Sequence, residues 1–178
     1  MLTPKKARGF WRGLLAFGTL VIVFSMYSTV WASPSQQDGG VSVQLVSGTA
    51  ATLTSADGVV TVTVPAGASV AAGTLSYTPK TAADAPAVAP SGLAFGSVLF
   101  DLTVLDSSGD PALNYSFGTA IAVEVRYTDA DLQAAEGNPD RLQLMKYDPG
   151  FQVWTALTTS FDPVAKTVRA QLTRLSFF

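Results

Sequence analysis

The sequence predicts an all-β protein, a single antiparallel β-sandwich preceded by one N-terminal hydrophobic helix. Two observations carry this. Gly58 to Ala68 reads Gly-Val-Val-Thr-Val-Thr-Val-Pro-Ala-Gly-Ala, which puts Val60, Val62 and Val64 on one face of an extended strand and Thr61 and Thr63 on the other. Pro65 then removes a ladder donor and Gly67 permits a turn. The chain after it repeats the device: short alternating apolar segments separated by turn residues, which is the written form of a sandwich.

The N-terminal segment is read first because it distorts the composition of the rest. Met1 to Arg12 carries Lys5, Lys6, Arg8 and Arg12 and no acid, and Leu14 to Phe24, including Leu14, Leu15, Leu20, Val21, Ile22, Val23 and Phe24, is an unbroken stretch of mostly large apolar residues. Ser25 to Ala32 is more polar and ends Val30-Trp31-Ala32, so residues 1–32 form the three regions of a signal peptide, with cleavage between Ala32 and Ser33. The same stretch also reads as a retained membrane anchor. Leu14 to Trp31 carries no charge and, at about 1.5 Å per residue, just reaches across a hydrocarbon core of roughly 30 Å, with Trp11, Tyr27 and Trp31 near its ends. In both readings the cationic end stays in the cytoplasm and the rest is exported.

Beyond Ala32 all 13 acids remain but only 7 of the 11 bases, a net charge of −6. Such a surface repels nucleic acid, and no basic patch with interleaved aromatics reverses this. The chain has no Cys, which in an exported protein means a core that holds without disulfides. A length near 150 residues is enough for that, burying about 70% of the unfolded surface.

In chain order, residues 33–40 (Ser-Pro-Ser-Gln-Gln-Asp-Gly-Gly) form a flexible polar spacer, and residues 41–178 form the sandwich. Val41–Val46 and Ala51–Ser55 read as the first strands, with Ser55-Ala-Asp-Gly58 a turn. Gly73–Pro79 is a strand with Leu75 and Tyr77 on one face. Lys80–Gly92, rich in Ala and Pro, is a loop over one end of the sandwich, a crossover between sheets in the first reading and a binding loop in the second. Leu93–Leu105 is the longest β pattern and the expected central strand, closed by the Asp106-Ser-Ser-Gly-Asp110 turn. Thr119–Tyr127 alternates Ile121, Val123, Val125 and Tyr127 inward against Ala122, Glu124 and Arg126. A short helix capped by Thr128 or Asp129 runs to Glu136 and ends at Gly137-Asn-Pro139. Arg141–Tyr147, Phe151–Leu157 and Lys166–Leu175 are the remaining strands, joined by Asp148-Pro-Gly150 and Phe161-Asp-Pro163 as turns.

The ordered set Gly58–Ala68, Thr74-Leu-Ser-Tyr77, Phe100-Asp-Leu102, Tyr127-Thr-Asp-Ala-Asp-Leu132, Leu144-Met-Lys-Tyr-Asp148, Trp154 and Leu175-Ser-Phe-Phe178 resembles the β-sandwich repeats of bacterial surface and secreted proteins. These are distantly similar to the ZU-type domain of ankyrins and netrin receptors. The resemblance spans residues 58–178 and implies an immunoglobulin-like or ZU-like sandwich outside the cell, without assigned catalytic residues. It departs from the repeats at Arg174 and Leu175, where a His often precedes the final Phe-Ser run.

The residue inventory narrows the chemistry. With no His and no Cys, the commonest general base, thiolate nucleophiles and the usual zinc sites are excluded. No Ser lies in a Gly-x-Ser-x-Gly elbow, and Glu124, one of only two Glu residues, is already the outward position of a strand. No organic cofactor is expected. Calcium is the candidate ion, at Asp106 and Asp110 in one tight turn or at Asp129 and Asp131 at a helix start; the other readings are an ordinary hairpin turn and N-capping. Trp154 and Tyr147 read as core, while Phe151 and Phe161 are open between core and surface.

Two functions follow as expectations. One is a non-catalytic protein of the cell envelope with a structural or protein-contact role, an accessory subunit of a membrane assembly, touching the membrane through its N-terminal segment where that is retained. The alternative is a secreted or surface module that binds carbohydrate or another extracellular ligand through the Lys80–Gly92 loop and the last aromatics.

Overall fold

Among the described residues, alternation of small turn residues with β-branched pairs produces ten strands, one short α-helix and two 3-10 turns. The structure is a computed structural model that describes residues 39–112 and 115–178. In order come β1 (Val41–Leu45), β2 (Ala51–Thr54), β3 (Val60–Val64), β4 (Gly73–Lys80), β5 (Leu99–Leu105), β6 (Ser116–Arg126), helix α1 (Asp129–Ala134), β7 (Met145–Asp148), β8 (Val153–Ala156), β9 (Thr159–Asp162) and β10 (Thr167–Arg174). All pairings between these strands are antiparallel.

Three strands in the order β1-β4-β5 form one layer, and five in the order β2-β3-β6-β10-β9 form the other; β7 and β8 make a separate hairpin. The C-terminal residues join that hairpin to the first layer. Phe178 exchanges both backbone bonds with Phe100, Leu102 N–H donates to Ser176, and Tyr147 N–H donates to the carbonyl of Phe177. Residues 176–178 thus lie between β5 and β7, and the fold is an antiparallel β-sandwich.

The period-2 pattern decides which side chains meet. Leu45, Leu75, Tyr77, Phe100, Leu102 and Val104 from the first layer close on Leu53, Val60, Val62, Val64, Ile121, Val123, Val125 and Leu172 from the second. Each such burial is worth about 1.5–3 kcal/mol, against about 1 kcal/mol net for a hydrogen bond, so this interface holds the fold. Gly73 is required by close approach: a Cβ there would sit 2.9 Å from the carbonyl oxygen of Leu105 and from a Val104 methyl.

Several expectations change. The strand over Leu93–Leu105 begins only at Leu99, because Ser97 is held by Asp131 and Phe95 packs on Trp154. The segment after Lys80 is not a crossover: it joins β4 to β5, neighbours in one layer, and contains a single 3-10 turn at Ala82–Asp84. Residues 139–141 form a 3-10 turn, so the strand expected from Arg141 starts at Met145. Phe161 lies in β9, a strand absent from the sequence reading; the turn follows it, with Asp162 accepting from the N–H groups of Val164 and Ala165. Helix α1 is capped by Thr128, one of the two caps the sequence offers, with Gly137 in the left-handed region after it.

Among the described residues no helix is long and apolar enough to cross a membrane. The hydrophobic segment Leu14–Trp31 and the Ala32–Ser33 junction lie outside the described residues.

Candidate functional site

Several carboxylates are spent on the protein's own turns. Asp57 accepts from the Ser55 hydroxyl and from Val59 N–H, and these bonds hold its carboxyl below the usual range. Asp106 accepts from the N–H groups of Ser108 and Asp110, and Asp148 from those of Gly150 and Phe151. Each closes a reversal by offering the backbone an acceptor that the ladder cannot supply.

Of the calcium candidates, Asp106 closes its own turn and the other three do not share one arrangement. Asp106 and Asp110 lie in one exposed turn, where Asp106 N–H also donates to the Asp110 carbonyl. Asp129 pairs with Lys166 at 2.6 Å, whereas Asp131 turns to the loop before β5. Among the described residues no three side chains of metal-binding type come together.

Asp131 is the most heavily used acid. It accepts from the backbone and hydroxyl of Ser97 and from the backbone and hydroxyl of Thr128, at 2.6–2.8 Å, and so ties the helix cap to the loop. Burial pushes its carboxyl up, but these four bonds outweigh burial and leave it below the ordinary value. A depressed folded-state value means that stability is gained above the unfolded value near 3.9 and lost as pH falls through the folded one. Asp131→Ala therefore lowers the unfolding free energy by about 1–3 kcal/mol at pH 7, measured by urea titration. The difference between wild type and variant shrinks below about pH 4. A difference that stays constant down to pH 2 contradicts the charged-acceptor role.

The second feature is aromatic. Trp154 was expected in the core but is only half-buried, as is Tyr147; both lie outside the main cluster, which corrects the sequence reading. Alternation explains their position. Phe178 stacks on buried Phe100, with centroids 5.2 Å apart, so its neighbour Phe177 points away from the core. Phe177 is opposite Asp101, which lies between buried Phe100 and Leu102 and therefore also faces outward. Trp154 packs 5.8 Å from Phe177 and 5.4 Å from its strand partner Tyr147, so all three rings lie on the outer face of the first layer.

The loop after β4 folds against this row. Trp154 Nε1 donates to the carbonyl of Ala87 at 3.3 Å, and Phe95 packs edge-on at 5.5 Å. Leu99, outward by its place in β5, is nevertheless buried. The sequence reading named the loop and Trp154 but missed Phe95 and Phe177. The only signal for Phe177 was its place next to Phe178 in a strand whose partner could not be read. Phe151, left open, is 81% exposed at the β7–β8 turn, and Phe161 is half-buried.

Fold and site together define an antiparallel β-sandwich whose turns are closed by their own carboxylates and whose first layer carries an aromatic row on its outer face. Comparison with protein-family models and with curated proteins finds no match to the chain.

Proposed function

We propose that this chain is a non-catalytic, exported β-sandwich protein of the cell envelope, with a structural or protein-contact role as an accessory subunit of a membrane assembly. The observation that supports it most is the use of acidic side chains: Asp57, Asp84, Asp106, Asp131, Asp148 and Asp162 each accept hydrogen bonds within turns or between neighbouring loops. Carboxylates placed in this way stabilise a rigid display scaffold. The basic, then apolar start of the chain supports export, and the ordered likeness of residues 58–178 to bacterial surface repeats supports a place outside the cell.

The test is to fractionate cells producing the protein natively, take the intact mass of the chain from washed membranes and from the soluble envelope, and run the membrane extract on a native gel. The expected result is a full-length species in the membranes, migrating as part of an assembly larger than the chain itself. A chain starting at Ser33, found only in the soluble fraction and only as a monomer, overturns the assembly role.

A further inference from the structure

The outer face of the first layer is more than the back of a sheet. Beside the rings of Phe177, Tyr147 and Trp154 it carries Thr78, Asp101 and Thr103, placed outward by the burial of Tyr77, Phe100, Leu102 and Val104 between them. Thr78 pairs with Asp101, Asp101 with Phe177, Tyr147 bonds Phe177, and Tyr147 pairs with Trp154. Five side chains therefore form one row across neighbouring segments. Their backbones span four inter-strand spacings, about 19 Å, with the Trp154 ring leaning back to within 5.8 Å of Phe177.

The row is graded in chemistry. One end is aromatic, roofed by the loop through Trp154 and Ala87; the other is a carboxylate with hydroxyls, where Thr103 donates to Asp101 at 2.9 Å. Aromatic rings beside fixed hydroxyl and carboxylate acceptors suit a ligand with apolar C–H faces and hydroxyl edges. The net charge of −6 beyond Ala32, and a carboxylate within the row, disfavour an acidic ligand.

We propose that this face binds a neutral oligosaccharide. The sugar rings lie along Phe177 and Tyr147, the Asp101 carboxylate and the Thr78 and Thr103 hydroxyls take the sugar hydroxyls, and the Trp154-pinned loop forms the end wall. The proposal stands apart from the envelope role, since a scaffold with no sugar site serves that role equally well.

The experiment is calorimetric titration of the full-length chain in detergent micelles with cellohexaose, xylohexaose, mannohexaose and chitohexaose, and with oligogalacturonate as the acidic counterpart. The expected result is saturable binding of at least one neutral hexaose, with no heat from oligogalacturonate. Tyr147→Ala and Asp101→Asn each weaken that binding tenfold or more, while Val164→Ser, in the turn after β9, leaves it unchanged. Thr103→Val, nearly isosteric, weakens it without touching the aromatic packing and covers the case in which Tyr147→Ala fails to fold. The proposal is overturned when none of the four neutral hexaoses binds, when the acidic one binds better, or when binding survives both Asp101→Asn and Thr103→Val.

Discussion

Replacing Phe100 with alanine lowers the unfolding free energy by about 3–5 kcal/mol, the range for a buried Phe truncated without collapse of the site. Phe100 is fully buried, packs 5.6 Å from Tyr77 and stacks on Phe178. Both of its backbone groups are bonded to Phe178, so the strand cannot shift to fill the void without losing them. Relative to a total of roughly 5–15 kcal/mol for a domain, this is a large fraction of the stability. Urea unfolding followed by circular dichroism measures it. A loss below about 1.5 kcal/mol, the size of a volume-conserving swap, shows that the two layers repack and that the aromatic stack is not the centre of the core.

Removing Ser176, Phe177 and Phe178 costs about 7–9 kcal/mol, combining about 3–5 kcal/mol for the buried ring of Phe178 with four backbone bonds worth about 1 kcal/mol each. The reason is positional: Phe178 is 4% exposed, and the segment supplies three backbone bonds to β5 and one to β7. It also supplies the Ser176 hydroxyl, which donates to the Tyr147 carbonyl. Without it the β7–β8 hairpin loses its strand neighbour, and β5 becomes an open edge. Hydrogen exchange reports the two effects separately. The amides of Tyr147, Phe100 and Leu102 are expected to exchange at least tenfold faster in the truncated chain, whereas those of β3 and β6 slow or quicken only with global stability. Unchanged protection at Tyr147 contradicts the bridging role of the C-terminal segment.

The two losses are not additive. Phe100 and Phe178 share one stack and one pair of backbone bonds, so a chain carrying both changes loses less than the sum.

How much of this was legible beforehand differs from element to element. Val60, Val62 and Val64, like Ile121, Val123 and Val125, announced both their strands and their buried faces, because side-chain direction along a strand is a local property with a period of two residues. The turns at Ser55–Gly58 and Asp106–Asp110 and the Thr128 cap were equally local, each set by an acceptor side chain within a few residues of its donors. Strand β9 was lost because Phe161-Asp-Pro163 carries a turn signal that acts one residue later than it reads, after the ladder with β10 is complete.

The sequence alone determined that this chain makes strands, where most of them turn and which residues seek the core. Only the tertiary structure decided which strands share a layer, that residues 176–178 lie between β5 and β7, and that Phe95, Tyr147, Trp154 and Phe177 meet on an outer face rather than in the core. Those outcomes rest on pairings between segments tens of residues apart. Phe177 stands outside for one reason, that Phe178 is claimed by Phe100, and no pattern within either segment encodes that partnership.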